Sequence, residues 1–475
     1  MRLPLVGPSY RLDGRSFDCQ RTINLFLIAS ETGTSKSPAC LRLTPGLALF
    51  AQAGGGPGRG CKTTANDGRG FVVSGNGFYE VLEDGTTVLR GTLLTSVGMV
   101  SIAENGSQVM IVDGRFGYIF TIATNAFAQI TDPDFPACSM VDYQDGYFIV
   151  FKLGTGQPYI SAINDGFSWD PLDFSSTESS PDNLVGLISD HGQMQFFGTR
   201  SVEVFNNTGN AAFPFERAEG AIIQTGCAAG FTIQRFDNTV VWLGIDEQGR
   251  GVVWKMNGYN AQRISTQAIE GRIASAKDFT ESYAWTYHQE GHIFYCLQVK
   301  GLDTTLVYDG TVGQWHERSF FNKSLSRSEQ HRAAGHFFFA QKNLVIDREN
   351  GNIYNLSNKV YSDNGDAIIW ERTFPHLSQE GAIIPHNELV IDIEPGQGLA
   401  NGQGSDPKIS LCYSDDGGFT FTSFRSTSAG KIGRYKARAR WTRLGSSRDR
   451  VYHLRGSDPI FWQLNDAYLN PPRAA

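Results

Sequence analysis

Between residues 71 and 315 the chain repeats one pattern: two apolar runs around a tight turn, then two more runs and a second turn. The first turns fall at Asn76-Gly77, Asn105-Gly106, Asp145-Gly146, His191-Gly192, Asp237-Asn238 and Glu290-Gly291. The second turns fall at Asp84-Gly85, Asp113-Gly114, Asp165-Gly166, Thr199-Arg200, Gln248-Gly249 and Asp309-Gly310. Asn-Gly and Asp-Gly suit two-residue hairpin loops, because both central residues must take positive φ. Each unit therefore reads as a four-stranded antiparallel sheet. A recurrence of about 43 residues is the period of propeller blades. A ring of such sheets offers a rigid surface and an axial channel, and serves more often as a platform for partners than as a reaction vessel.

A chain of 475 residues exceeds one ordinary core, so two or three domains are expected. With 53 Gly, 12% aromatic residues and little helical periodicity beyond a short stretch at 265–276, the class is all-β. Residues 1–60 read as an N-terminal arm and linker, ending in a flexible glycine-rich loop at 51–60 (AQAGGGPGRG). Residues 61–365 read as the β-propeller. A seventh candidate unit at 335–356, with a turn at Asn350-Gly351, leaves six and seven blades both open. Residues 366–475 change texture, with strand-like runs starting near 387, 408, 418, 434, 451 and 460, and read as a β-sandwich.

The net charge of −7 marks no general nucleic-acid binder. No apolar run approaches the ~18 residues needed to span a bilayer, so no membrane insertion is expected. The first residues lack the apolar core of a signal peptide, which points to synthesis in a cytoplasm. The seven cysteines are scattered without a C-x-x-C pair. Cys138 and Cys296 sit in apolar runs and read as small buried hydrophobes.

The motifs that carry chemistry are weak. Residues 56–63 (GPGRGCKT) approach a phosphate-binding loop, but Cys61 stands where Gly must precede the Lys, and strand rather than helix follows. Residues 414–421 (SDDGGFTF) match the Asp-box S-x-D-x-G-x-[ST]-[WF], and 162–169 (AINDGFSW) match it partly. In that turn a carboxylate or amide caps loop N–H groups above a locking aromatic, so it reports fold and not catalysis. The acids Asp84, Asp113, Asp145, Asp165, Asp237 and Asp309 all lie in or beside turns, where Asp is favoured without any catalytic duty. The nine histidines show no metal spacing. No catalytic, cofactor or metal residues are assigned.

One charge feature stands out. Residues 431–455 carry nine Lys and Arg against one acid, Asp449. Arg434, Lys436, Arg438 and Arg440 alternate with Tyr435, Ala437, Ala439 and Trp441, which on a strand puts four cations on one face. Such a row repels itself unless something negative lies opposite. Lys431, Arg434, Lys436, Arg438, Arg440 and Arg443 are therefore the candidate assembly or DNA-contact residues. A solvated face with local acidic partners is the alternative.

Several blocks together resemble the packaged-DNA stabilization protein family, the tail hub or nozzle of short-tailed bacteriophages. They are 18–26 (DCQRTINLF) with 44–47 (TPGL), 345–354 (VIDRENGNIY), 414–418 (SDDGG), and 437–451 (ARARWTRLGSSRDRV) with 457–459 (SDP). The resemblance spans nearly the whole chain and implies a structural, non-enzymatic role in the virion tail, assembled in the bacterial host cytoplasm. In that family about six copies form a ring below the portal and its adaptor (head completion) protein. The ring continues the DNA channel, retains packaged DNA and lets it pass on ejection, meets a tail needle or gate protein, and helps dock tailspikes or fibres. Contact with double-stranded DNA would be transient. The rival readings are a propeller glycoside hydrolase or glycan-binding lectin, and a generic intracellular propeller scaffold. The first needs an acid pair across a glycosidic bond, which no spacing here specifies.

Overall fold

The computed structural model describes residues 1–177, 182–210 and 213–472. Among them, seven four-stranded antiparallel sheets follow one another. Blade 1 runs Gly58–Thr63, Gly70–Ser74, Gly77–Val81 and Thr87–Thr92. Blades 2 to 6 begin at Ser101–Glu104, Val141–Gln144, Leu184–Asp190, Gln234–Phe236 and Tyr283–Gln289. Blade 7 contains Ala333–Phe339, Lys342–Asp347 and Asn352–Ser357, and takes its fourth strand, Gly46–Gln52, from the other end of the sequence. The first strand of each blade abuts that of the next, with the 3-10 turn Gly230–Thr232 helping to join blades 4 and 5, and blade 7 abuts blade 1. The ring is closed, and the blade number is seven.

Aromatic residues fill the wedges between blades. Phe71 and Phe78 of blade 1 stack at 5.2 Å, and Phe120 of blade 2 meets Phe71 at 5.2 Å. Such ring pairs add roughly 0.5–1.5 kcal/mol to the burial of their surface. Blades 3 to 7 share one local device. Their first two strands are joined by residue pairs with both φ positive: Asp145-Gly146, His191-Gly192, Asp237-Asn238, Glu290-Gly291 and Ala340-Gln341. The last pair has no turn composition, which is why the seventh blade is hard to phase from sequence; Asn350-Gly351 lies instead between its second and third strands.

Blade 1 corrects the reading of 51–60 as a flexible loop. Its innermost strand starts at Gly58, and those glycines serve close approach. A Cβ on Gly60 would stand 2.6 Å from Val100 Cγ2 and 2.8 Å from the Val100 carbonyl; one on Gly58 would stand 2.7 Å from the Asp347 carbonyl. Between them Arg59 is buried and donates to the carbonyls of Gly75, Thr95, Val97 and Gly98. Because Gly58–Thr63 is the first strand of the blade, the turn expected first is its second connection. The bend is at Gly75-Asn76 and joins the second and third strands.

Residues 1–60 are not a free-standing arm either, since they are divided between both halves of the molecule. One sandwich sheet has the order Leu25–Ala29, Ala39–Leu43, Gln463–Leu469, Glu388–Ile393, Ala439–Thr442. The facing sheet runs Cys19–Ile23, Trp370–Thr373, Asp449–Gly456, Lys408–Ser414, Arg425–Ser428. Their shared core includes Leu3, Leu5, Leu25, Leu41 and Leu43 from the N-terminal segment, packed with Trp370 and Trp462 at 5.2 Å. The sandwich thus needs both ends of the chain, and the propeller lies between them in sequence. The helix Gln267–Ala274 falls within the predicted helical stretch, capped by Thr266, whose side chain accepts from Ile269 N–H. No helix of the described residues is long and apolar enough to cross a membrane.

Candidate assembly surface

The surface that carries the cations is held by a buried polar joint. Ile23 pairs in parallel with Glu317 of blade 6, and antiparallel with Glu371 of the sandwich. Asn24, at φ 54°, donates to the carbonyls of Ser319 and Ile369 and accepts from Ser319 N–H, so one amide ties propeller to sandwich. Arg21 grips Glu317 through two bonds of 3.0 and 2.6 Å, and Ser9 and Thr304 donate to the same carboxylate. Burial pushes Glu317 up, but the Arg21 charge and hydrogen bonds, then Arg272, hold it down at about 2. Arg372, fully buried, donates to the Leu5 and Pro8 carbonyls, Thr22 and Gln20; burial lowers it to about 9. None of these residues had a composition signal. Only the pairing of distant strands brings them together.

The sandwich places the basic segment differently from the expected strand. Of residues 431–443 only Ala439–Thr442 is strand, and it is the edge of its sheet. Residues 431–438 are turns and extended coil. The Gly-rich loop at 396–406 supports them: Gly433 N–H reaches the Gly396 carbonyl at 3.3 Å, and a Cβ on Gly398 would touch the Ile432 N at 2.8 Å. Lys431, Arg434, Lys436 and Arg438 are all exposed around an open cleft of about 790 Å³. Among the described residues, these four and Arg443 make no ion pair. Arg440 does, at 2.8 Å from Glu388. Sequence reasoning missed two neighbours, Ile432 and Tyr435, which are 60% and 75% exposed. On a strand Tyr435 would lie on the face opposite the cations; here a turn brings it out to solvent beside them.

The remaining cations of the segment are structural. Arg450 is buried over the Tyr413 ring, grips Asp415 at 2.6 and 2.7 Å, and donates to the Leu444 carbonyl. Arg448 reaches the Gly381 carbonyl, and Arg455 stands 3.7 Å from Glu371. Asp415 belongs to the Asp-box turn. There Asp416 accepts from Ser414, Phe419 N–H and Thr420, and those hydrogen bonds hold its carboxyl below the usual range. Phe421 is not underneath but half-exposed, edge-on to His453. Residues 418–424, expected as strand, are this turn and its exit. In the partial box of blade 3, Trp169 is buried and its indole N–H meets the Gly166 carbonyl at 2.9 Å.

The acids read as turn-formers are engaged locally. Asp84 accepts from Thr86, Asp113 from Arg115 and Phe116 N–H, Asp165 from Phe167 N–H, Asp237 from Lys255, and Asp309 from Thr311 N–H. Asp309 also holds His292 at 2.7 Å. His316 is buried and His336 half-buried, and desolvation lowers both to about 4. All seven cysteines are free thiols, and burial raises Cys296 to about 12. Among the described residues no cluster of three His, Cys, Asp or Glu is placed to hold a metal.

Against known families, residues 1–361 match the model described as bacteriophage P22 Gp10, beta-propeller, and residues 369–470 match that of bacteriophage P22 Gp10, beta-sandwich. Comparison with curated proteins gives no match. Among solved structures, the extracellular domain of a hybrid two-component system from B. thetaiotaomicron is 9% identical over 83% of this chain, with a TM-score of 0.45. This chain spans only 47% of that one, about half its length. YCF48 from Cyanidioschyzon merolae is 11% identical (66% of this chain, 99% of that one, TM-score 0.42). The WD40 β-propeller domain of Doa1 is 10% identical (65% and 97%, TM-score 0.40). At these values the solved structures add nothing to the family match.

Proposed function

The chain belongs to the bacteriophage P22 Gp10 family of packaged-DNA stabilization and tail-hub proteins, and from that premise we propose that it is the hub or nozzle ring of a short-tailed phage. It is a phage structural protein; the finer role is inferred. About six copies would ring the channel below the portal and its adaptor protein, hold packaged DNA in place, receive a needle or gate, and offer docking faces to spikes or fibres. The observation that carries this reading is the match of both modules, in order, across almost the entire chain.

The physical properties agree with it. A hub must pass DNA without gripping phosphate, and residues 61–365 carry 33 Asp and Glu against 21 Lys and Arg. A sliding duplex meets no general electrostatic trap on such a body. A hub must also resist the force of a packed genome. A ring latched by a strand from the opposite chain end, and bonded to its sandwich through Arg21 and Asn24, is mechanically continuous. Both properties suit a structural part better than a hydrolase.

The test is direct. DNA-filled heads of the parent phage that lack this chain should leak their genome, and adding purified chain should make that DNA nuclease-resistant. Negative-stain images should then show a ring on the adaptor. Heads that stay equally sealed, or equally leaky, with and without the chain would overturn the proposal.

A further inference from the structure

The 431–438 loop has the make-up of an interface: among the described residues its cations make no ion pair, and Asp406 is the one acid that lines their cleft. Arg and Tyr are enriched in protein contacts, Arg because its planar fork binds carboxylates in pairs. Here Arg434, Lys436 and Arg438 surround the exposed Tyr435 and Ile432, and the glycine loop behind them sets their backbone in advance. An occupant must be both acidic and partly apolar.

The chain itself carries such a surface. Residues 1–60 hold 7 basic and 3 acidic side chains, and 366–475 hold 13 and 12, so the negative charge is concentrated in the propeller. On the propeller rim the outer strand of blade 3, Asp165–Phe174, is an unpaired edge. It exposes Leu172 (78%) and Phe174 beside Asp170 and Asp173, neither of which makes an ion pair among the described residues. Partial burial, then the Asp170 charge, raises the Asp173 carboxyl, so this acid pair gains from a cation. Pro171 removes a backbone donor from the edge, which favours side-chain docking over strand addition.

Position supports the match. A sandwich strand pairs with blade 6, and blade 3 is three blades away from it in the ring of seven. Among the described residues no hydrogen bond or ion pair joins the two patches within one chain. We propose that the 431–438 loop of one copy docks on the blade 3 outer strand of a second copy, with Lys436 and Arg438 against Asp170 and Asp173, and Tyr435 against Leu172. Such a contact is head-to-tail. It leaves one free patch of each kind on every pair, and so propagates, to a ring where the rotation between copies closes. The inference rests on the ring reading above and names its contact faces.

Charge exchange tests it. Sedimentation velocity of the full chain should show concentration-dependent association. Lys436→Glu with Arg438→Glu should weaken it at least about tenfold, as should Asp170→Lys with Asp173→Lys, because close like charges across an interface are strongly unfavourable. Combining the four substitutions should recover most of the association. Leu172→Ser, which alters no charge, should weaken it as well. Thermal midpoints equal to the unaltered chain's would show that each variant folds. A monomer at every concentration, association indifferent to both reversals, or a combined variant no better than either pair would overturn the proposal. So would loss of binding to a short DNA duplex in the Lys436/Arg438 variant with association unchanged. The head-sealing assay is independent: heads sealed by a chain whose association ignores these charges would sink this contact and leave the hub reading intact.

Discussion

Two arginine-rich regions of this molecule do opposite things. Near the joint, Arg372 is buried and Arg21 is half-buried, and each has its donors taken up by a carboxylate, carbonyls or side-chain oxygens. In the 431–438 loop, Arg434 and Arg438 stand in solvent with no ion pair among the described residues. A buried guanidinium must be satisfied or the fold fails, whereas an exposed one costs the fold almost nothing and remains available to a partner. Residue type does not separate structural from interface cations; the company each keeps does.

The contrast can be broken at several scales. The largest effect is expected from cutting the joint altogether. Residues 366–472 expressed alone should show no cooperative melt by near-UV circular dichroism, because three sandwich strands and five core leucines are missing. Fusing residues 1–45 to them should restore a transition, and a cooperative melt without that fusion would contradict the shared core.

Glu317→Ala comes next. It leaves the half-buried Arg21 without its counter-charge and should cost about 3–5 kcal/mol in urea unfolding. A loss below about 1 kcal/mol would place the joint among ordinary surface pairs. Acid sharpens the same point. His316 and His336 are held neutral to about 4, against an ordinary 6.5, so the unfolded chain takes up their protons first. Their contribution is complete above 6.5 and is lost as pH falls toward 4, at about 1.4 kcal/mol per pH unit for each ring. Glu317, lowered from 4.5 to about 2, adds a second loss between those values. A melting midpoint that stays level between about pH 7 and pH 5 would contradict these neutral rings.

Gly60→Ala should cost about 1–3 kcal/mol, since its Cβ would meet Val100 backbone and side chain. Arg440→Ala, which takes an exposed guanidinium away from the buried Glu388 carboxylate, should also cost about 1–3 kcal/mol. The smallest effect belongs to the loop. Arg438→Ala should leave stability within about 0.5 kcal/mol. A larger loss at Arg438 would make it structural and erase the distinction.

Much of the propeller was legible because its turns are local. A pair such as Glu290-Gly291 needs positive φ whatever surrounds it, so composition marks the hairpin. Ala340-Gln341 takes the same conformation because the strands on either side force it, and nothing in those two residues announces this. Gly58 and Gly60 were misread for a related reason. Glycine serves flexibility and close approach alike, and only the position of Val100 and Asp347 tells which. The basic segment was found by its charge and misassigned as strand, because alternation alone does not show that a supporting glycine loop will turn the backbone.

By itself the sequence determined the repeating hairpins, the all-β class and the cationic run, since each follows from residues within a few positions of one another. Only the tertiary structure decided that residues 46–52 latch blade 7, that residues 1–45 complete the sandwich, and which cations are buried. Those outcomes depend on strand pairing across more than three hundred residues, as between Gly46 and Ser357. Local propensity carries no record of such a partner, because the free energy of the pairing arises only when both strands are present.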